Sequence, residues 1–287
     1  MSQGAEYRTS RPFSEQATRA AAVRAVLEQH GIRVNPACEL AGLLTAAEML
    51  ASRDPARPIS NDSEFQQMLL GAHFDRISDA ILLVQHEPDP VTHLQPLTSQ
   101  TLDFMHARTP SRAKDFFWEL ELWEKIKRRH PATFLREPDV MVETDGGDLP
   151  IACKKIYTQG GVESQLRKGV RQLKPFKGKG MVAINIDDLV QPSVHWRAPT
   201  TNVLGTAMER ANEEFLRHHM TVLDDYFRKE KLSAVAVSVT LFSEIDSGGP
   251  RFNYMHQLTV MVSRYAQQSV RARLEILAAS MGAQIET

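Results

Sequence analysis

The chain has 287 residues, 42% apolar and 24% charged, with a formal net charge of −1. That length supports one large or two modest domains with a real core. The near-zero charge excludes a globally basic nucleic-acid binder, so any such surface has to be local.

Residues 1 to about 13 are polar, lack the apolar centre of a secretory signal and are expected to be frayed. From Ser14 the pattern turns helical, and Ala21, Val23, Val26 and Leu27 suggest a helix that Gly31 closes. Leu40 to Ala51 predicts a second helix, broken by Arg53 to Pro58. Ser60 or Asn61 is suited to cap a third, in which Leu70, Phe74, Ile77, Ile81 and Val84 recur at helical spacing until Glu87 to Pro90 stops it. Residues 1–108 therefore read as a helical N-terminal region, and 109–287 as a second unit.

Ser111 to Arg129 predicts a strong helix, with Phe116, Leu120 and Trp123 along one face and Trp118, Leu122 and Ile126 widening it. Glu121, Glu124, Lys125 and Arg128 are expected on its wet face. Glu119 falls on the apolar side, where a carboxylate needs a partner or must reach to the edge. After a short strand around Phe134, Asp139 to Val142 alternates like a half-buried strand and Ile151 to Tyr157 reads as another, with Asp145-Gly146 as the turn between them. An Asp145-Gly146 loop puts Asp139 opposite Ala152; a Gly146-Gly147 loop puts it opposite Lys154. Either even loop gathers Asp139, Ala152 and Lys154 on one face.

A helix is expected from Val162 to about Leu173, carrying Arg167, Lys168, Arg171 and Lys174 with Gln165 and Gln172 among them, and Lys177 and Lys179 extend the run. Such a run is usually a solvated helix face, but here it is well placed to neutralise phosphates. Met181 to Ile186 has the continuous apolar character of a strand covered on both sides. An insertion with Pro192, His195, Trp196 and Pro199 follows, then a helix from about Thr206 to Lys229, a strand from Ser233 to Phe242, a strand over 257–262, and a last helix from Tyr265 to Met281 closed by Gly282. Asp187-Asp188, at the end of the apolar strand, is placed to sit near a metal, though capping or loop solvation is the more ordinary role, and His218-His219 suggests surface residues. Lys177 to Gly180 precedes a strand where a phosphate-binding loop precedes a helix, and His86-Glu87 lacks a second histidine at metal-ligand spacing, so neither supports nucleotide binding or a zinc site. No run approaches the roughly 20 apolar residues of a membrane span. Cys38 and Cys153 give no disulfide framework, which suits a reducing cytoplasm, and Cys153 reads as a small buried strand residue.

Pro138-Asp139, the hairpin and a lysine at 154 resemble the PD-(D/E)XK nuclease superfamily, as do Glu119-Leu120-Glu121-Leu122 on the preceding helix and the order helix, hairpin, helix, strand. The resemblance covers roughly residues 111–190. It implies an α+β or α/β fold with a restriction-endonuclease-like αβββαβ core, a mixed sheet flanked by helices. It implies Mg²⁺ (or Mn²⁺) held by Asp139, by Glu119 and by the Cys153 backbone carbonyl, with Lys154 stabilising transition-state charge or orienting water. The superfamily carries Asp or Glu two residues before the lysine, where this chain has Ala152. Three explanations compete: a deliberately inactivated variant, an acid migrated to Glu143, Asp148 or Glu163, and a natural pseudonuclease. Glu143 lies about 13 Å along the strand from Asp139 at 3.3 Å per residue, which makes it a poor substitute, whereas Glu163, at the start of the following helix, is better placed. DNA is the expected substrate, in a restriction or anti-phage setting by analogy. A helicase or other effector subunit is the partner expected of the rival, a non-catalytic docking protein, and a homo-oligomer is compatible with either.

Overall fold

The computed structural model describes residues 5–9, 11–54, 60–99, 109–190, 196–245 and 253–286. Ala5–Thr9 forms strand β1, followed by helices α1 (Phe13–Gln29), α2 (Glu39–Leu50), α3 (Asp62–Val84) and α4 (Pro90–Ser99). Gly31, at φ +68°, ends α1 in the left-handed region where only glycine is unstrained. Of the two candidate caps for α3 it is Asn61 that acts. Its Oδ1 accepts from the Glu64 N–H at 3.0 Å, and the Glu64 Oε2 accepts from the Ser60 N–H at 2.8 Å. Pro90 starts α4 as well as closing the preceding turn, since a first-turn proline leaves no intrahelical bond unmade. The expected break at Arg53 to Pro58 falls largely on residues outside those described.

The second part of the chain gives α5 (Arg112–Lys127), β2 (Thr133–Arg136), β3 (Asp139–Val142), β4 (Leu149–Lys155), α6 (Val162–Gln172) and β5 (Met181–Asn185). It continues through α7 (Asp187–Val190), β6 (Trp196–Ala198), α8 (Thr201–Arg228), β7 (Ala234–Ile245), β8 (Asn253–Val262), α9 (Gln268–Ser280) and β9 (Gln284–Glu286). Pro192 and His195 of the insertion lie outside the described residues. No described helix is long and apolar enough to cross a membrane.

The fold is mixed α+β, built on one sheet in the order β1-β8-β7-β5-β4-β3-β2. Strands β4, β5 and β7 are parallel; β2, β3 and β4 form an antiparallel meander, and β7 and β8 a long antiparallel pair. Both ends of the chain correct the expectation. Residues 5–9 are not frayed but pair with β8 at 253–257, and β9, unforeseen, pairs with the same edge at 259–261. An open strand edge offers backbone donors and acceptors to any segment that reaches it, whatever its side chains.

Side chains alternate between two cores. Ile151 and Cys153 of β4, Met181 and Ala183 of β5, and Ala234 and Ala236 of β7 face α1 to α5 and α9. Ala152, Val182, Ile184, Val235 and Val237 face α6 and α8. Helix α5 is packed on every side but its ends. Trp118 and Trp123 seat it on the sheet, their indole N–H groups donating to the carbonyls of Ala183 and Thr133, each at 3.4 Å. Its expected wet face is instead covered by the N-terminal helices, so Glu121, Glu124 and Lys125 are buried and only Arg128 remains exposed. Two further expectations are corrected: Asp187 and Asp188 are buried rather than solvated, and His219 is buried, packing beside Phe215.

The acids of a buried network between α3, α5 and the sheet are met by cations. Arg76 of α3 grips Glu121 through two hydrogen bonds of 2.7 and 2.6 Å and reaches Asp187 at 2.9 Å. Lys125 adds a 3.2 Å bond to Glu121, while Lys114 and Lys155 hold the two oxygens of Asp188 at 3.2 and 2.9 Å. Burial alone would raise the Glu121 carboxyl, but Arg76 and Lys125 outweigh it and hold the acid well below its ordinary 4.5. This stabilisation is full above that value and is lost as the pH falls through the depressed one. Replacing Arg76 by Met leaves Glu121 with Lys125 alone and Asp187 without its cation, and is expected to lower unfolding free energy by about 3–5 kcal/mol. Urea unfolding at neutral pH measures it, and adding Glu121→Leu should recover part of the loss. An unchanged urea midpoint in Arg76→Met would show the pair to be incidental.

Candidate functional site

The β3–β4 hairpin fixes the site. Val140 pairs with Ile151, Met141 with Pro150 and Val142 with Leu149, the register of an Asp145-Gly146 loop, which sets Asp139 level with Ala152. The turn is closed by the Gly147 N–H on the Thr144 carbonyl at 2.9 Å, with Gly147 at φ +105°. That conformation suits glycine alone.

Asp139 opens β3 beside the fork where β4 runs between α5 and α6. Its Oδ2 accepts from the Cys153 N–H at 2.6 Å and from the Lys154 ammonium at 3.1 Å, and its Oδ1 accepts from Gln172 Nε2 at 3.0 Å. Gln172 also donates to the Pro138 carbonyl at 2.9 Å. Lys154 in turn donates to the Cys153 carbonyl at 2.5 Å. This close approach of α6 needs Gly169, where an added Cβ would lie 2.9 Å from Val182. A side chain there would lift the helix and draw Gln172 off Asp139.

Glu119 comes from the opposite flank, on α5. Burial, then the charge of Asp139, pushes its carboxyl up to about 8. His93 of α4 approaches it to 3.8 Å, too long for a hydrogen bond, and burial lowers the imidazole so that both groups are neutral near pH 7. One turn before Glu119, Asp115 accepts the Tyr157 hydroxyl at 2.8 Å. Burial likewise raises Asp139 and Asp115, with Lys154 opposing in both cases. The Cys153 thiol is driven well up by burial and by Asp139 and Glu119, which leaves it inert and its backbone the useful part.

The structure thus brings together Asp139, Lys154, the Cys153 carbonyl and Glu119 from the expected residues. It adds Gln172, Asp115, Tyr157 and His93. Asp115 had a legible signal, four residues before Glu119 on the same helix face. Gln172 was visible only as a member of the basic run, and His93 had no local signal at all. Ala152 is fully buried in the core beneath α6, against residues such as Val182 and Leu166. None of the three substitute acids replaces it. Glu143 and Asp148 are drawn to Arg136 at 2.7 and 3.7 Å, and Glu163 is exposed at the start of α6, near enough to His219 of α8 to act on it.

Arg167, Lys168, Arg171, Lys174, Lys177 and Lys179 are all exposed. They do not form one surface. Lys168 lies close enough to lower Asp115, whereas Lys177 and Lys179 line a separate depression with Glu230, Tyr265 and Gln267.

A divalent cation fits this set only in part. Asp139 and the Cys153 carbonyl do converge on one cation position, but that position is taken by the Lys154 ammonium. Among the described residues no group of three His, Cys, Asp or Glu side chains is disposed to hold a metal. Ala152 supplies no oxygen. Comparison of the chain with family models, curated proteins and solved structures gives no match.

Between 4.5 and about 8 the folded chain keeps on Glu119 a proton that the unfolded chain has released. Its contribution to stability is therefore full below 4.5 and is lost as the pH rises through 8. Glu119→Gln is expected to flatten that decline, gaining about 1 kcal/mol or more at about pH 9 relative to pH 5, since one unit of pKa is worth about 1.4 kcal/mol. Urea unfolding at both pH values checks it, and parallel losses in the two proteins would place Glu119 in water.

Proposed function

We propose that this chain is a DNA-binding protein built on a restriction-endonuclease-like core, α5-β2-β3-β4-α6-β5, and is the hydrolysis-deficient form of a Mg²⁺- or Mn²⁺-dependent nuclease. The observation that carries the reading is the convergence of Asp139, Lys154, the Cys153 carbonyl and Glu119 at the fork of β3, β4 and α5. Glutamate at 152 would stand level with Asp139 and on the face of Lys154, the face that core packing assigns to Ala152. The exposed Arg167, Lys168 and Arg171 on α6, with Lys174 just past its end, supply positive charge for a phosphate backbone. The position of the Lys154 ammonium favours the second reading, a natural pseudonuclease in which lysine replaces the metal.

Ala152→Glu discriminates between the two. In the nuclease reading it cuts supercoiled or linear DNA with Mg²⁺ or Mn²⁺, and Ala152→Glu/Lys154→Ala lowers that cleavage by roughly 10²–10³-fold, the usual loss of a transition-state donor. The single variant should also be stabilised by Mn²⁺ in thermal unfolding where the alanine form is not, a readout free of turnover. DNA bound but never cut by any form would give the lead to the pseudonuclease. In either reading Arg167→Ala and Arg171→Ala should weaken DNA binding and reduce the salt slope by about one for each lost phosphate contact, measured by fluorescence anisotropy across a salt series.

A further inference from the structure

We propose a second binding site, for a small oxyanion of the phosphate class, in the chamber bounded by α3, α5 and the carboxyl ends of β4, β5 and β7. Strand β5 leaves β7 after pairing Asn185 with Ser238, and β6 joins the same edge only at Ser243. The interval opens a chamber of about 40 Å³ lined by Arg76, Lys114, Lys155, Asn185, Asp187 and Asp188. At about 10–15 Å³ per water this is room for about three waters or one tetrahedral anion.

Its hydrogen-bond inventory is short of acceptors. The Asn185 side chain is 1% exposed, and its Oδ1 accepts from Lys155 Nζ at 2.6 Å and from the Asp187 N–H at 3.3 Å. Two donors on that oxygen fix the amide, and its Nδ2 has no partner among the described residues. Arg76 commits Nε and Nη2 to Glu121 and Asp187. The carboxylates are already engaged: Asp187 by Arg76 and by the Thr240 N–H at 2.7 Å, Asp188 by Lys155 and Lys114. An occupant therefore has to bring its own oxygens. Three cations line the chamber against two carboxylates, with Glu121 behind Arg76. His73, in the same wall, is kept neutral by burial and by Arg76. That lining suits an anion better than water alone.

The site stands apart from the Asp139 cluster and does not depend on the nuclease reading. The test uses the whole chain, in sodium phosphate and in sodium chloride of equal ionic strength. Phosphate at about 10 mM should raise Tm by about 3 °C or more over chloride. It should also move the Asn185 side-chain NH2 signal in a protein labelled with ¹⁵N-asparagine. Asn185→Asp keeps an oxygen for Lys155 but removes both donors, and should abolish the Tm gain, whereas Lys154→Ala should leave it intact. An unmoved Asn185 signal, or a gain that survives Asn185→Asp, overturns the proposal and leaves the chamber to ordered water. If the Asp variant does not fold, the labelled native chain decides alone. Repeating the titration with 5′-phosphorylated and 5′-hydroxyl oligonucleotides separates a nucleic-acid end from free phosphate as the source.

Discussion

The guanidinium of Arg76 binds acids from two other elements, Glu121 of α5 and Asp187 at the start of α7, and these contacts fix where α5 lies. A planar, permanently charged fork accepts only a narrow range of carboxylate orientations. Because all three groups are buried, a misplaced partner would leave an isolated charge in the core. The N-terminal helices are therefore more than a cap on the sheet. Through α3 they set the rotation of the helix that carries Glu119.

That rotation connects the buried network to the candidate site. Residues two apart on a helix are separated by roughly 200°, so Glu119 and Glu121 point to nearly opposite sides. Trp118 and Trp123 hold α5 on the sheet, Glu121 faces Arg76, and Glu119 is turned toward Asp139. From the other flank Gly169 lets α6 come close enough for Gln172 to bond Asp139. Gln172 of α6 thus bonds the Asp139 carboxylate, while Glu119 of α5 acts on it through charge from the opposite face of the sheet.

The parts legible from residues alone were those governed by local rules. The shared face of Asp139, Ala152 and Lys154 followed from an even loop, because strand side chains alternate strictly; of the two even loops the structure takes Asp145-Gly146. The helix ends at Gly31, Asn61 and Gly282 followed from capping chemistry. What stayed hidden depended on partners distant in sequence. Glu121, Glu124 and Lys125 read as a wet face because hydrophobic periodicity records apolar burial, and it carries no sign of an arginine 45 residues away. Asp187 and Asp188 were misread for the same reason. The short edge strands β1 and β9 escaped notice because backbone pairing at an open edge asks little of composition.

Ala152 leaves the fork with Asp139 as the acid that Lys154 meets. As the chain stands, the charge of Asp139 is met by Lys154, the Cys153 carbonyl is bonded to the same ammonium, and Glu119 keeps its proton to about pH 8. The cluster is close to neutral and satisfied by its own side chains. A second acid at 152 would add one negative charge beside Asp139, which a single lysine could not offset, and the surplus would call for a cation held through oxygen. With alanine at that position the fork is self-contained, its Asp139 bound by Lys154, the Cys153 N–H and Gln172.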